Sequence, residues 1–257
     1  MRAFIILGAV VGLVLAPSAA MANWSDNFDT YNLGPLTPQG GWVGWANDPT
    51  VTGVVVNDHF LSPGQSQRVG LPNNSDSVHT YSGYTAGHWT YSAMQFIPSD
   101  FTGKTYFIMN NTYTNGGADT QWSVQVGFNA TTGQIDADVG GVQQHMPYIM
   151  GQWIQIRAEI YLTEDWTKVY YNNTLIDDPA LADHPTLGGG YQWTKGVFGT
   201  DTLGLLNIAA VDLYDNYGDA DPALHGTPVY YDNMSLTPEP ASLVLLGLGL
   251  LLVTRRR

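Results

Sequence analysis

Three carboxylates in the middle of the chain have the residue types and spacing for acid–base chemistry on a glycosidic bond. Asp136 and Asp138 stand two residues apart, and Glu159 lies in a later alternating segment. Residues two apart on a strand share a face, with Cα atoms roughly 6.5–7 Å apart. Carboxyl groups about 5–5.5 Å apart suit a retaining glycosidase, and about 6.5–9.5 Å an inverting one. These residues are candidate catalytic groups if their strands are neighbours; otherwise they are solvated carboxylates.

Other catalytic chemistries lack support in the sequence. The chain has no cysteine, which excludes thiol catalysis and cysteine-ligated zinc. Its six histidines are scattered without the tight spacing of a metal site. The Gly-x-Ser-x-Gly elbow of serine hydrolases is also missing.

Oxygen-bearing side chains near both ends of the expected domain form a candidate metal site. Asp26, Asn27 and Asp29 lie near its beginning, and Asp232 and Asn233 near its end. If the terminal strands lie side by side, these oxygens come together. Calcium takes about six to eight oxygen ligands at roughly 2.3–2.6 Å, so a structural Ca²⁺ is the predicted cofactor. The alternative is that these residues form Asx turns at strand ends.

A second acidic group lies shortly before the end of the expected domain. It lacks the order of residues found in an EF-hand loop, so it is interpreted as a solvated loop. Its members are Asp212, Asp215, Asp219 and Asp221.

Aromatic residues are the best indication of a ligand. The chain has eight tryptophans and fifteen tyrosines, and aromatic faces stack on the apolar faces of pyranose rings. The tryptophans near expected turns or strand ends are Trp42, Trp45, Trp89, Trp166 and Trp193. Of these, Trp42, Trp45, Trp89 and Trp193 are the predicted ligand-binding residues. A sandwich core also uses tryptophan, and Trp122 and Trp153 are expected in the core or at its edge.

The periodicity that must position these residues is that of β-strands. Apolar and polar residues alternate over 122–128 and 135–139 around a turn near Thr132-Gly133, which predicts a hairpin. A longer alternation covers Ile154 to Leu162, and Asn172-Asn173 predicts a turn within 168–176. Further strands are predicted at 51–57, 88–97, 105–113, 203–214 and 229–236. Long loops are expected at 110–120 and 177–195, and the pattern favours an all-β antiparallel sandwich.

Charge limits the partners of the expected domain, residues 23–237. It has five basic residues against 21 acidic ones, a balance of −16. Nucleic acids and anionic membrane surfaces select basic patches, so no nucleic-acid partner is expected. Calcium or neutral sugars are compatible with this charge.

Both ends of the chain have the pattern of export signals. Met1-Arg2, the apolar run from Phe4 to Leu15 and the small-x-small site Ala20-Met21-Ala22 predict a signal peptide over 1–22 for the Sec pathway. At the other end, Pro238, Glu239 and Pro240 precede an uncharged run at 241–253 and then three arginines. As a helix this run spans roughly 20 Å, shorter than the roughly 30 Å bilayer core. The terminal arginines favour a cytoplasmic C-terminus.

This C-terminal layout resembles the PEP-CTERM sorting signal. The motif residues are Pro238, Glu239, Pro240, Arg255, Arg256 and Arg257. The resemblance covers 237–257 and implies a Gram-negative cell envelope, recognition by an exosortase peptidase and removal of the tail. It implies transient anchoring in the inner membrane and a setting rich in exopolysaccharide or biofilm matrix. An ordinary tail anchor is the alternative.

The expected domain resembles laminin-G-like and concanavalin A-like lectin or glucanase jelly rolls. The similar segments are SDNFD at 25–29, GGW at 40–42, GQW at 151–153, VYYNN at 169–173 and YYDN at 230–233. The resemblance implies a two-sheet antiparallel jelly roll, with another Greek-key sandwich as the alternative. The related glucanases carry Glu-x-Asp-x-x-Glu on a strand, and this chain has no such segment.

The sequence therefore predicts an exported envelope or matrix protein that binds carbohydrate, or has a structural role, without catalysis. The missing acidic motif is the reason for preferring binding to hydrolysis. One alternative is a glycoside hydrolase or polysaccharide lyase with a different set of carboxylates. Another is a surface protein whose partner is a protein.

Overall fold

Two antiparallel β-sheets make up the fold in the computed structural model, which describes residues 23–115, 119–197, 199 and 204–239. Sheet A contains β1 (Trp24–Asp26), β2 (Gly34–Pro35), β4 (Val54–Val56), β5 (Ser66–Val69), β7 (His88–Phe96), β12 (Trp153–Tyr161), β13 (Trp166–Tyr171), β14 (Thr174–Ile176) and β16 (Val229–Pro238). Sheet B contains β3 (Trp42–Gly44), β6 (Asp76–Thr80), β8 (Lys104–Thr112), β9 (Gln121–Asn129), β10 (Gln134–Val139), β11 (Val142–Pro147) and β15 (Ala210–Tyr214). Three short 3-10 helices lie at Gln39–Gly41, Trp45–Asn47 and Pro222–Leu224.

The strand order confirms the predicted jelly-roll sandwich. Sheet A runs β14-β13-β12-β7-β16-β5-β4-β2, with β1 also paired to β16, and sheet B runs β11-β10-β9-β8-β15-β6-β3. The chain crosses repeatedly between the sheets, so residues far apart in sequence become neighbours. β1 and β16 lie side by side, as the prediction for the terminal strands required.

The core lies between the sheets because alternate residues of each strand are apolar. On β10, Ile135, Ala137 and Val139 face the core, so Asp136 and Asp138 lie on the outer face of sheet B. The same alternation gives β8, β9 and β15 an outer face that carries polar and aromatic side chains. This outer face of sheet B carries the candidate site.

The predicted strands and turns are present where the sequence pattern is strongest. β9 and β10 form the predicted hairpin, with Asn129 opposite Gln134. Asn172 and Asn173 link β13 to β14 with φ of 48° and 61°, a left-handed conformation that asparagine tolerates well. β12 occupies Trp153–Tyr161 within the predicted alternating segment.

Short strands are where prediction and structure differ. β5, β6 and β11 were not predicted, because segments such as DSVHT have no clear alternation. The strand predicted at 203–214 begins only at Ala210, and residue 203 lies outside the described residues. The signal peptide at 1–22 and the apolar run at 241–253 also lie outside the described residues.

Candidate functional site

A cleft of about 370 Å³ lies on the outer face of sheet B. β6, β8, β9 and β15 form its floor, and the helical turn at Trp45–Asn47 forms one wall. Its lining residues are Trp45, Asp76, Tyr106, Ile108, Trp122, Gln125, Asp212, Tyr214 and Asn216. The cleft therefore combines four aromatic side chains with two carboxyl groups.

Asp76 and Asp212 form a buried carboxyl pair in the floor of the cleft. They lie on the adjacent strands β6 and β15, and only 8% and 3% of their surfaces are exposed. Burial raises the pKa of Asp76 to about 6 and the pKa of Asp212 well above its ordinary range. The charge of Asp76 and the hydrogen bond between the two carboxyl groups raise the pKa of Asp212 further. Near neutral pH the pair therefore holds one proton and one negative charge.

One oxygen of each carboxyl group has no hydrogen-bond partner. Within the described part of the chain, neither Asp76 Oδ1 nor Asp212 Oδ1 contacts a donor, although both atoms are buried. Buried polar atoms are nearly always hydrogen-bonded, because an unpaired one costs about 1–3 kcal/mol. The hydrogen bond within the pair is the one contact left for these enclosed atoms, and a ligand in the cleft meets only the small exposed part of the two carboxyl groups.

Aromatic side chains form the sides of the cleft. Tyr106 on β8 stacks against Tyr214 on β15 with ring centroids 5.9 Å apart. A Cβ added to Gly127 would lie 2.8 Å from the Tyr106 ring, so glycine at this position of β9 makes room for the tyrosine. Trp45 packs edge-on against Tyr113, with centroids 5.3 Å apart. These contacts hold the rings in place before any ligand binds.

The structure does not bring the three predicted catalytic carboxylates together. Asp136 and Asp138 share the outer face of sheet B, whereas Glu159 lies on the outer face of sheet A. β10 pairs with β9 and β11, and β12 pairs with β7 and β13, so the condition that their strands are neighbours is not met. The two sheets and the core separate Glu159 from the aspartates.

Each of these carboxylates is engaged by neighbouring side chains. Asp136 accepts a hydrogen bond from Asn129 Nδ2 at 2.9 Å and contacts His145 Nδ1 at 2.9 Å. Asp138 accepts one from Gln125 Nε2, a residue of the cleft lining. Asp138 therefore lies next to the cleft, because its partner Gln125 lines the cleft. Burial raises the pKa of the Asp138 carboxyl group.

Glu159 belongs to a separate polar cluster on sheet A. Arg157 donates a hydrogen bond to Glu159 Oε1, and the hydroxyl groups of Tyr161 and Tyr170 donate to Oε2 at 3.0 and 3.1 Å. The Arg157 guanidinium also lies 3.9 Å from the centre of the Tyr170 ring. These contacts satisfy Glu159 within its own sheet.

Three of the four predicted ligand-binding tryptophans belong to the core. Trp42, Trp89 and Trp193 have no exposed surface, so none can stack on a ligand. Their indole N–H groups donate to Asp26, the Ala86 carbonyl and the Asn207 carbonyl. Trp45 alone of the four lines the cleft, and Trp122, expected at the core or its edge, joins it there.

The interpretation of the second acidic group as a solvated loop was wrong for its first two members. Asp212 lies on β15 and is 3% exposed. Asp215 is fully buried and accepts hydrogen bonds from the Ser75 and Tyr217 N–H groups at 3.0 Å. Burial raises the pKa of Asp215 to about 7, with the charge of Asp76 adding to the effect. The position of Asp212 between apolar residues in the strand sequence AVDLY is the feature that could have indicated its burial.

The predicted metal ligands lie close together but bind protein donors. Asp26 accepts hydrogen bonds from Phe28 N, Tyr31 Oη and Trp42 Nε1 at 2.7–2.9 Å. Asp232 is fully buried and accepts from the Leu61, Ser62 and Asn233 N–H groups at 2.6–2.8 Å.

The remaining predicted ligands also make local contacts. Asn27 Nδ2 donates a hydrogen bond to Asp29, which also accepts one from the Gln65 N–H group. Asn27, Asn233 and Asp26 line a surface recess. Among the described residues, no group of three His, Cys, Asp or Glu side chains is placed to hold a metal ion. N–H and O–H groups of the protein donate to Asp26, Asp29 and Asp232, so each of these carboxylates already has hydrogen-bond partners.

Calcium removal is therefore expected to leave the stability of the protein unchanged. The melting temperature in 1 mM EDTA should lie within about 1 °C of that in 1 mM CaCl₂, since hydrogen bonds already neutralise these carboxylates. Differential scanning calorimetry of both samples measures this. An increase of several degrees with CaCl₂, but not with MgCl₂, would restore the calcium site that the sequence predicts.

The first two residues of the Pro-Glu-Pro motif are the last residue of β16 and the residue directly after it. Pro238 is the last residue of β16, and Glu239 N donates to the His88 carbonyl at 3.0 Å. Residues 236–257 match the family model of the PEP-CTERM protein-sorting motif. The chain carries a PEP-CTERM sorting motif. The sequence prediction of this signal is confirmed.

The PEP-CTERM motif implies export, a membrane-associated sorting signal and processing by an exosortase. Its residues Pro240, Arg255, Arg256 and Arg257 lie outside the described residues. The structure places the start of the motif within sheet A, without an intervening linker. In the part of the chain that the structure describes, no helix is long and apolar enough to cross a membrane.

Solved structures share the fold of this chain at low sequence identity. A sialidase matches with a TM-score of 0.52 and 10% identity over 85% of this chain and 19% of that chain. The catalytic domain of a glycoside hydrolase family 131 protein from Coprinopsis cinerea gives 0.49 and 8%, covering 84% and 94%. The carbohydrate-binding module CBM66 from Bacillus subtilis gives 0.40 and 13%, covering 80% and 96%.

These likenesses concern the fold alone. The chain spans about a fifth of the length of the sialidase that it matches. No curated protein matches the sequence.

Proposed function

We propose that this domain binds glycans in the cleft on the outer face of sheet B, without catalysis. The observation that carries the proposal is a buried carboxyl pair that lies between aromatic side chains in the floor of the cleft. Aromatic faces cover the apolar faces of a sugar ring, and a few buried polar groups fix its orientation. The volume of about 370 Å³ lies within the range of roughly 300–1,000 Å³ that small-ligand sites occupy.

Binding is favoured over hydrolysis because of the separation of the carboxyl groups. Asp76 and Asp212 lie on adjacent strands and hydrogen-bond to each other, so their carboxyl groups are in contact. A retaining glycosidase places its carboxyl groups about 5–5.5 Å apart, and an inverting one places them farther apart. The pair is therefore suited to accepting hydrogen bonds from a ligand rather than to attacking a glycosidic bond.

The place of action follows from the sorting motif. We propose that the protein is exported by the Sec pathway after loss of residues 1–22 and is held in the inner membrane of a Gram-negative bacterium through 241–253. An exosortase then removes the segment from Pro238 onward, which releases the domain to the envelope or the extracellular matrix. Exopolysaccharide is the glycan that such a protein meets there.

Substitution of the cleft tryptophans tests the proposal. Trp45→Ala and Trp122→Ala should each weaken the binding of a glycan found on a glycan array by about tenfold or more, because each removes an aromatic face. Trp153→Ala is the matched control, since Trp153 lies on the outer face of sheet A against Phe96. Isothermal titration measures the affinities, and melting temperatures verify folding.

Two outcomes would contradict glycan binding in this cleft. One is unchanged affinity in both cleft variants when Trp153→Ala weakens binding, which would place the ligand on sheet A. The other is the absence of binding to any glycan on the array. Release of reducing sugar from the bound glycan would replace the binding role with hydrolysis.

A further inference from the structure

The cleft is acidic as well as aromatic. Asp76 and Asp212 form its floor, and Asp136 and Asp138 on β10 lie on the same face next to Gln125. Among the described lining residues there is no lysine or arginine. An anionic ligand, such as a uronate or a sulfated sugar, would meet only negative charge here and would be repelled.

The carboxyl pair lies in the floor of the cleft without a cationic partner among the described lining residues. Asp76 Oδ1 and Asp212 Oδ1 are both buried acceptors, and no donor among the described residues reaches either atom. Both side chains are more than nine-tenths buried and both line the cleft. A primary ammonium carries three donors and one positive charge, so in the cleft it can donate to the exposed part of the pair and balance its charge.

The aromatic walls also suit a cation. Tyr106 and Tyr214 stand beside the pair, and Trp45 and Trp122 complete the lining. Aromatic faces attract an ammonium group within about 6 Å, most strongly where water is excluded. A hydroxyl group gains little from this attraction, because it has no net charge.

We propose that the cleft selects glycans that contain free amino groups, such as deacetylated glucosamine units, with the ammonium held between Asp76 and Asp212. The inference rests on the proposed glycan binding and names the class of sugar. The pyranose ring then lies against the aromatic walls, and the ammonium donates to the part of the carboxyl pair that is exposed to the cleft. An N-acetyl group removes the charge and two of the donors, so acetylated units bind more weakly.

Three tetrasaccharides of equal length separate this inference from the proposed function. The full chain is titrated calorimetrically at pH 6 and 150 mM NaCl with β-1,4-linked tetramers of glucosamine, N-acetylglucosamine and glucose. We expect the glucosamine tetramer to bind at least about tenfold more tightly than the other two. Equal or tighter binding of the glucose or N-acetylglucosamine tetramer would overturn the amine inference and leave glycan binding intact. Failure of all three to bind would overturn both.

Single-residue variants test whether the carboxyl pair is responsible. Asp212→Asn and Asp76→Asn keep the side-chain shape, and each should remove most of the preference for the glucosamine tetramer. Asp100→Asn is the control for non-specific attraction, because Asp100 is exposed and does not line the cleft. Melting temperatures verify that each variant is folded. Equal loss in all three variants, or a preference retained in both cleft variants, would overturn the assignment.

Discussion

Asp26→Ala is expected to lower the free energy of unfolding by about 3–5 kcal/mol. Its carboxylate is 9% exposed and accepts hydrogen bonds from Phe28 N at 2.9 Å, Tyr31 Oη at 2.7 Å and Trp42 Nε1 at 2.8 Å. Alanine would leave two buried donors and the part-buried Tyr31 hydroxyl without an acceptor, and each costs about 1–3 kcal/mol, less where water enters. This loss is a large fraction of the usual stability of a domain.

Urea unfolding followed by tryptophan fluorescence measures this change. Asp100→Ala is the control, because an exposed aspartate should alter the unfolding free energy by less than about 0.5 kcal/mol. The loss of unfolding free energy in Asp26→Asn should lie between those of Asp26→Ala and Asp100→Ala. Asparagine keeps one acceptor oxygen but has an NH₂ donor in place of the second carboxylate oxygen. A change below about 1 kcal/mol for Asp26→Ala would show that these hydrogen bonds contribute little to the fold.

The second large effect is a fall in stability between pH 5 and pH 8. Burial raises the pKa of Asp76 to about 6 and that of Asp215 to about 7, above the value near 3.9 of an unfolded chain. Between about pH 4 and pH 7 the folded protein therefore binds more protons than the unfolded chain. Stability from these groups is fully present below about pH 4 and is lost as the pH rises through 7.

The size of the fall can be measured by calorimetry. A loss of about 2 kcal/mol lowers the melting temperature of a domain of this size by roughly 4–8 °C. Asp215→Asn and Asp212→Asn should each flatten the profile, because an amide does not titrate. A melting temperature at pH 8 equal to or above that at pH 5 would show that these carboxyl groups are ionised in the folded protein without a penalty.

The sequence was sufficient for elements whose signal is local. The hairpin of β9 and β10 and the turn at Asn172-Asn173 depend on alternation and on residues that tolerate positive φ, both of which can be read from a few neighbouring residues. The sorting motif is also a local pattern, and the family match confirms it.

The site was not predictable in the same way because it depends on contacts between distant strands. Asp76 and Asp212 meet only because β6 pairs with β15, with Val78 opposite Asp212 and Asp76 opposite Tyr214. Nothing near either residue in the sequence signals this pairing. Tryptophan posed a different difficulty, since its large apolar surface suits a core as well as a ligand site, and only the packing of the two sheets distinguishes Trp42 from Trp45.

The pairing of β1 with β16 has a consequence for the timing of folding during export. β1 hydrogen-bonds with Met234 to Leu236, so it has no partner strand until nearly the whole domain has been translocated. Closing so long a loop is slow, and the sandwich cannot be completed while its last strand is still in the translocation channel. Because the sorting motif begins at the end of that same strand, we expect the final folding step to occur beside the membrane. An exosortase would then cut a chain whose domain has just closed.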